Sequence, residues 1–147
     1  VKDLAKENDS IENILEIHEL KTARLIQLSL VGSAIICNKQ DLINDLEDLG
    51  KYIGINFQLL DDLCELTEIQ TGHELDINPF LKFDSKKLFQ IILENNKKSK
   101  ALFNKLQADN LHLFYKSYYN KMKDVINSGK GLIIKQTNIS DLELSKL

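Results

Sequence analysis

The sequence predicts an all-α fold in one domain, and three observations support this prediction. Apolar residues recur three and four positions apart along almost the whole chain, which is the spacing of one helix face. Proline occurs once, as Pro79, and clusters of turn-forming residues are few. With 147 residues, 43% hydrophobic and 28% charged, the chain can form one hydrophobic core and has the composition of an ordinary globular protein.

The first long helix is expected to follow a short helix over Val1–Lys6. Asp9 is its predicted N-cap, with Glu12 completing a capping box, and its end is expected near Cys37. One face of this helix carries residues at helical spacing: Ile14, His18, Lys21, Leu25, Leu28 and Gly32.

The second long helix is expected to begin at Asn38 as its N-cap, with Asp41 in its first turn, and to end near Leu66. Its stripe consists of Leu42, Leu46, Leu49, Ile53 and Phe57. The segment 66–84 has little periodicity and contains a glycine and the only proline, so it is predicted to be a loop of the length that often carries function.

Two further helices are predicted over Lys86–Leu106, opened by Asp84, and over Leu111–Asn127, closed by Gly129. The tail 130–147 is ambiguous. Its GLIIKQT stretch has strand character, whereas ISDLELSKL is compatible with a short final helix.

Charge and cysteine content narrow the expected partners and compartment. The formal net charge of −3 and the lack of a concentrated basic patch argue against nucleic-acid binding, and Lys97–Lys100 is expected to be a solvated helix face. Cys37 and Cys64 lack metal-ligand spacing, so both are expected to be small buried hydrophobes in a reduced, cytoplasmic protein. The longest apolar stretch, Leu25–Cys37, is too short and too polar to span a bilayer.

Three acidic residues in FQLLDDLCE form the first candidate site: Asp61, Asp62 and Glu65. Asp61 and Glu65 are four apart and share a helix face, where like charges repel by a few tenths of a kcal/mol. They lie near the predicted C-terminal end of their helix, where negative charge opposes the macrodipole. A hard cation such as Mg²⁺ would offset this charge, and a solvated acidic surface is the alternative.

Two glycines, Gly50 and Gly54, share a stripe with these acids. Each costs roughly 1 kcal/mol relative to alanine in a helix interior. The stripe therefore predicts close approach of another backbone or of a ligand, and a core-packing reason stays open.

A Lys-Thr pair in HELKTARL, Lys21 and Thr22, is the second candidate. A lysine on an inward helix face suits an anionic ligand, and a neighbouring threonine offers a hydroxyl. Such a pair is common by itself, and its value lies in its order with the later Phe-Gln-x-x-Asp-Asp.

This order resembles the trans-type isoprenyl diphosphate synthases, with continuous similarity over about Ile11–Leu66. The resemblance implies that 1–147 is the C-terminal part of a single synthase domain, the C-terminal helices of an isoprenoid-synthase-type bundle. The family's first aspartate-rich motif would precede Val1, so the chain is expected to be part of a longer protein and inactive alone. Four side chains are then expected to be partly uncovered: Leu25, Leu28, Ile53 and Leu60.

The resemblance also implies the chemistry, which is Mg²⁺-dependent condensation of isopentenyl diphosphate with an allylic diphosphate. Asp61 would be the main Mg²⁺ ligand, with Asp62 and Glu65 supporting it. Lys21 would pair with the allylic diphosphate.

The remaining site residues would act on the substrate chain. Thr22 and Gln58 would direct oxygen dipoles toward the developing cation, and Phe57 would lie against the substrate. The expected partner is the N-terminal half of a synthase or a second subunit. The assembly is expected to be a homodimer.

The chain departs from the family pattern at two places. Glu65 stands where the family has aspartate, and Gly72 is followed by His73 instead of lysine. A diphosphate contact would then be missing or would move to Lys82. Protonated His73 is another candidate for this contact, and an exposed loop histidine is the alternative. These departures support an alternative function as a non-catalytic regulatory or structural subunit, and a generic helical interaction domain is the third alternative.

Overall fold

The computed structural model describes residues 10–69 and 77–147, and no strand occurs among them. Its helical segments are α1 (Ile11–His18), a π-helical segment (Glu19–Ala23), α2 (Arg24–Ile36), a 3-10 turn (Gln40–Leu42), α3 (Ile43–Glu65), α4 (Pro79–Lys82), α5 (Ser85–Leu106), α6 (Asp109–Gln136) and α7 (Asp141–Leu144). The all-α prediction is confirmed. Four predictions lie outside the described residues: those for Val1–Lys6, Asp9, Gly72 and His73.

The first long helix is a continuous rod of α1, the π-helical segment and α2. Ser10 is its N-cap, one residue after the predicted Asp9, and its hydroxyl accepts a hydrogen bond from Asn13 N at 3.2 Å. The rod ends at Ile36, close to the predicted end.

The expected exposure of Leu25 and Leu28 is confirmed, and the π-helical segment shifts the buried positions along the rod. The buried residues are Ile11, Ile14, His18, Ala23, Gln27 and Ala34. The step from His18 to Ala23 is five residues, because a π-turn contains more residues than an α-turn. Side chains after the π-helical segment are therefore rotated, and Leu25 and Leu28 are 68% and 69% exposed.

Asn38 lies in the turn that follows the C-terminal end of α2, so its prediction as the N-cap of the next helix is wrong. Its φ of 55° lies in the left-handed region, which asparagine tolerates better than most residues. Lys39 N donates to Ala34 O at 2.8 Å, so the turn satisfies a terminal carbonyl of α2. The next helix, α3, starts at Ile43 without a side-chain cap.

The two glycines of α3 are explained by helix packing. A Cβ on Gly50 would lie 2.8 Å from Gln27 Cα, and one on Gly54 would overlap the backbone of Ala23. The predicted close approach is therefore to the backbone of the first rod. Gln27 Nε2 also donates to Glu47 O at 2.9 Å, which ties α2 to α3.

The predicted start of α5 is confirmed, and the predicted end of α6 is not. Asp84 caps α5 by accepting from Lys86 N at 3.0 Å. Ser140 caps α7 with a full capping box. However, α6 continues through Gly129 to Gln136, so the predicted stop and the strand character of GLIIKQT are wrong. Gly129 instead provides room for Thr67, which occupies the space of a Cβ.

Helix α3 lies at the centre of the fold and packs against α2, α5 and α6. The largest fully buried side chains are Phe80, Phe89, Phe103, Leu49, Leu59, Leu60, Leu63, Leu66, Leu88, Ile92, Ile126 and Ile133. Leu60 is thus buried, against prediction. The expectation of buried cysteines is wrong for Cys37, which is exposed, while Cys64 is half-buried. Within 10–69 and 77–147, no helix is long and apolar enough to cross a membrane.

Candidate functional site

A cleft of about 850 Å³ lies beside the C-terminal turns of α3 and collects most of the predicted site residues. Its walls come from α1, the π-helical segment, the last turns of α3, α4 and one residue of α6. The predicted residues in its lining are Lys21, Gln58, Asp61, Asp62 and Glu65. Thr22 and Phe57 are not in the lining.

The three acids differ in their surroundings. Asp61 and Glu65 are exposed on one face of α3, as their spacing predicts, whereas Asp62 is partly buried. Because α3 ends at Glu65, its unpaired terminal carbonyls add negative potential to the same place. The end of α3 therefore presents concentrated negative charge to the cleft.

Asp62 contacts His18 across the cleft wall, with Oδ2 3.3 Å from Nε2. The alignment does not make a hydrogen bond, because Asp62 Oδ2 has no hydrogen-bond partner. Burial, and then the charges of Glu65 and Asp61, raise the pKa of Asp62 to about 7. Burial, and then the charge of Lys21, lower the pKa of His18 to about 4. At neutral pH the histidine is therefore neutral, and the contact is not an ion pair despite its distance.

Asp62→Asn is expected to stabilise the metal-free chain at pH 8 by about 2 kcal/mol, because it removes a carboxylate whose ionised form is penalised in the fold. A raised pKa means that the folded chain takes up a proton between pH 7 and 4, while the unfolded chain does so only near 3.8. The advantage of asparagine should therefore shrink as the pH falls through this window. Urea unfolding at pH 8, 6 and 4 measures it, and an Asn variant less stable at pH 8 would contradict the expectation.

The π-helical segment places Lys21 in the lining of the cleft, near His18 and Asp62, whose pKa values it lowers. π-Turns within α-helices are frequent at functional sites. Lys82 of α4 also lines the cleft. Two cationic side chains from different segments thus border the acid cluster.

Phe57 contacts α6 instead of the cleft. Its ring stacks on Tyr118 with centroids 4.9 Å apart and an interplanar angle of 11°. Tyr118 also donates its hydroxyl to Phe57 O at 3.3 Å. Phe57 remains 38% exposed, so its substrate contact stays a prediction.

Asn78 is a cleft residue that the sequence did not reveal. It is only 3% exposed. Its side-chain amide donates to Asp62 O at 2.7 Å and to Glu65 Oε2 at 3.1 Å. Its side-chain oxygen accepts from Phe80 N, so it also caps α4. The only possible signal was the Asn-Pro pair, a common start of a turn or helix.

The donor chemistry of the cleft fits Mg²⁺ when other oxygens complete the coordination. Among the residues described, no three His, Cys, Asp or Glu side chains converge closely enough to hold a metal by themselves. Mg²⁺ in proteins is often held by one or two carboxylates, with waters and phosphate oxygens filling the rest. Asp61, Glu65 and the unpartnered Oδ2 of Asp62 are oxygen donors of this kind.

Comparison with known proteins gives a family match and a similar curated protein. The family model described as polyprenyl synthetase matches residues 1–76, about half of the sequence. The farnesyl diphosphate synthase of Bacillus subtilis (strain 168) is 35% identical over 69 residues, which are 45% of this chain and 23% of that relative. The chain therefore covers less than a quarter of this relative. No solved structure matches the chain.

Proposed function

Because the chain belongs to the polyprenyl synthetase family, we propose that it supplies the second aspartate-rich half of a prenyltransferase site. The reaction is the Mg²⁺-dependent condensation of isopentenyl diphosphate with an allylic diphosphate. The observation that supports this most is that one cleft holds the acids of α3 together with Lys21 and Gln58. Two segments far apart in sequence thus contribute opposite charges to one site.

The carboxylates of Asp61, Asp62 and Glu65 would hold Mg²⁺, with Asp61 as the main ligand. The metal would stabilise the negative charge that develops on a diphosphate leaving group. Lys21, which lines the same cleft, would neutralise the diphosphate, and Lys82 would assist it. A cleft that is lined by acids and by two lysines suits an anion that is bound through a cation.

The uncharged residues would act on the allylic chain. Gln58 lines the cleft one turn before Asp62, so its side-chain oxygen can face a developing carbocation. Thr22 and Phe57 would take part only after a rearrangement, or with upstream helices of the synthase in place. The chain 1–147 would then be the C-terminal part of one synthase domain, acting as a homodimer in the cytoplasm and inactive without the other half.

A non-catalytic subunit of the same fold is the second candidate, and Glu65 favours it. Glu65 stands where the family motif has aspartate, and its carboxylate accepts a hydrogen bond from Asn78. A carboxylate that accepts a hydrogen bond from another side chain is suited to a structural role as well as to binding a metal. Such a subunit would bind or regulate a complete synthase.

Glu65→Asp separates these two functions. If Glu65 reaches the metal, the shorter family residue should retain Mg²⁺-dependent diphosphate binding within about threefold, since the charge and the face of α3 are unchanged. If Glu65 serves only the contact with Asn78, Glu65→Ala should leave binding unchanged. Calorimetry on both variants measures this, and a loss in Glu65→Asp as large as in Asp61→Ala would show that the site requires the longer side chain.

The proposed function is tested by titrating the chain with geranyl diphosphate, with Mg²⁺ or with EDTA, and with geraniol as the uncharged control. Binding is expected only for the diphosphate with Mg²⁺. Lys21→Ala should weaken it, whereas Lys97→Ala, which removes an exposed lysine of α5 outside the cleft, should not. Equal binding with EDTA, or none in any condition, would refute the proposal.

A further inference from the structure

We propose that Asn78 is a positioning residue that fixes the carboxylate of Glu65 in the cleft, an inference that rests on the proposed function. Asn78 lies beyond residues 1–76, the part that matches the family model.

The side-chain amide of Asn78 joins two groups of α3. One Nδ2 group donates to the backbone oxygen of Asp62 at 2.7 Å and to Glu65 Oε2 at 3.1 Å. The two acceptors lie three residues apart at the end of α3, so a single amide links the backbone of the last helical turn to a side chain of the same turn. The amide is neutral, so it orients the carboxylate while leaving its negative charge in place.

Asn78 is itself fixed by its neighbours in α4. Its side-chain oxygen accepts from Phe80 N at 3.1 Å, and Pro79 occupies the first turn of α4. Pro79 and Phe80 are buried, and α4 packs against α3 and α5. The backbone of Asn78 is therefore held by the core, and its side chain is fixed by two donated hydrogen bonds and one accepted hydrogen bond.

Fixing the carboxylate matters more for glutamate than for the shorter aspartate. Glutamate has one more rotatable bond than aspartate, and it loses more conformational entropy when it is fixed. A hydrogen bond from a buried amide fixes the carboxylate before a ligand binds, so less conformational entropy is lost on binding. Residues that orient a metal-binding carboxylate typically change metal affinity by about 10- to 100-fold when they are removed.

The first experiment tests the contact itself by NMR on the metal-free chain. The side-chain amide signals of Asn78 are expected to shift in Glu65→Gln and to stay unchanged in Glu68→Gln, which alters an exposed acid three residues further on. Unchanged Asn78 signals in Glu65→Gln would overturn the positioning role, whether or not the chain binds a metal.

The second experiment measures Mn²⁺ binding by electron paramagnetic resonance. Asn78→Ser keeps an N-cap oxygen for α4 but lacks the amide donor, so its stability should be close to that of the parent while its Mn²⁺ affinity falls about tenfold. Asp84→Ala removes the N-cap of α5 and should lower stability without changing Mn²⁺ affinity.

Each result of this comparison is decisive. Parent-like Mn²⁺ affinity in Asn78→Ser, or an equal loss in Asp84→Ala, would overturn the inference. If the unsubstituted chain binds no Mn²⁺, the proposed function fails, and the link between Asn78 and Glu65 is then decided by the NMR result alone.

Discussion

Asp61→Ala is expected to reduce prenyl transfer by a synthase containing this chain by about three orders of magnitude or more, with unchanged helix content. Asp61 is exposed and lines the cleft, so removing its carboxylate leaves no cavity in the core. The loss would therefore come from the metal-stabilised charge of the leaving group. Initial rates of condensation, with circular dichroism as the structural check, measure it.

Asp48→Ala is the matched control for this prediction, because it removes an exposed acid from the same helix outside the cleft. Its rate should equal that of the parent. A near-parental rate in Asp61→Ala would remove Asp61 from the mechanism, and an equal loss in both variants would show that the effect is not specific to the cleft.

The second large effect is expected at the outer face of the first rod. Large apolar side chains are exposed there: Leu20, Leu25, Leu28, Ile35 and Ile36. An exposed apolar surface of this kind is typical of an interaction site. We therefore expect the isolated 147-residue chain to self-associate, or to bind the N-terminal helices of a synthase when these are supplied.

The double substitution Leu25→Glu and Leu28→Glu should convert the associated chain to a monomer, because it places two charges in the contact. Light scattering across a range of protein concentrations measures this. Leu113→Glu is the control, since Leu113 is also exposed, at 64%, but lies on α6. A parent chain that stays monomeric at high concentration would contradict this expectation and would favour the independent-subunit function.

Much of the fold followed from local sequence signals. Apolar periodicity predicted most of the helices, and Asp84 predicted the start of α5. Gly50 and Gly54 correctly indicated a close backbone approach. Gly129 misled because the same lack of a side chain that ends helices also allows Thr67 to pack closely against one.

The differences arose where tertiary packing decides the geometry. No pattern in Glu19–Ala23 announces a π-turn, yet this turn rotates every following side chain of the rod. Asn38 has the chemistry of an N-cap and of a left-handed C-terminal residue, and only the path of the chain selects between them.

In the candidate site, too, some residues carry a local sequence signal and others depend on tertiary contacts. The acids of α3 and Lys21 were named as candidates because their residue types and order suit the chemistry. Asn78 was not, because an amide acquires its role only from the two acceptors that the fold brings to it. The 3.3 Å approach of His18 to Asp62 is likewise a contact between distant segments.

The central claim is that Lys21 and the acids of α3 bind a magnesium diphosphate together in one cleft. Mapping of backbone amide shifts by ¹H–¹⁵N NMR, with Mg²⁺ and farnesyl diphosphate added separately and together, tests it most directly. The predicted result is a joint response confined to the residues around Lys21, Asp61 and Glu65 when both are present. Shifts centred on another surface, or no response to the combination beyond that to each component, would contradict the claim.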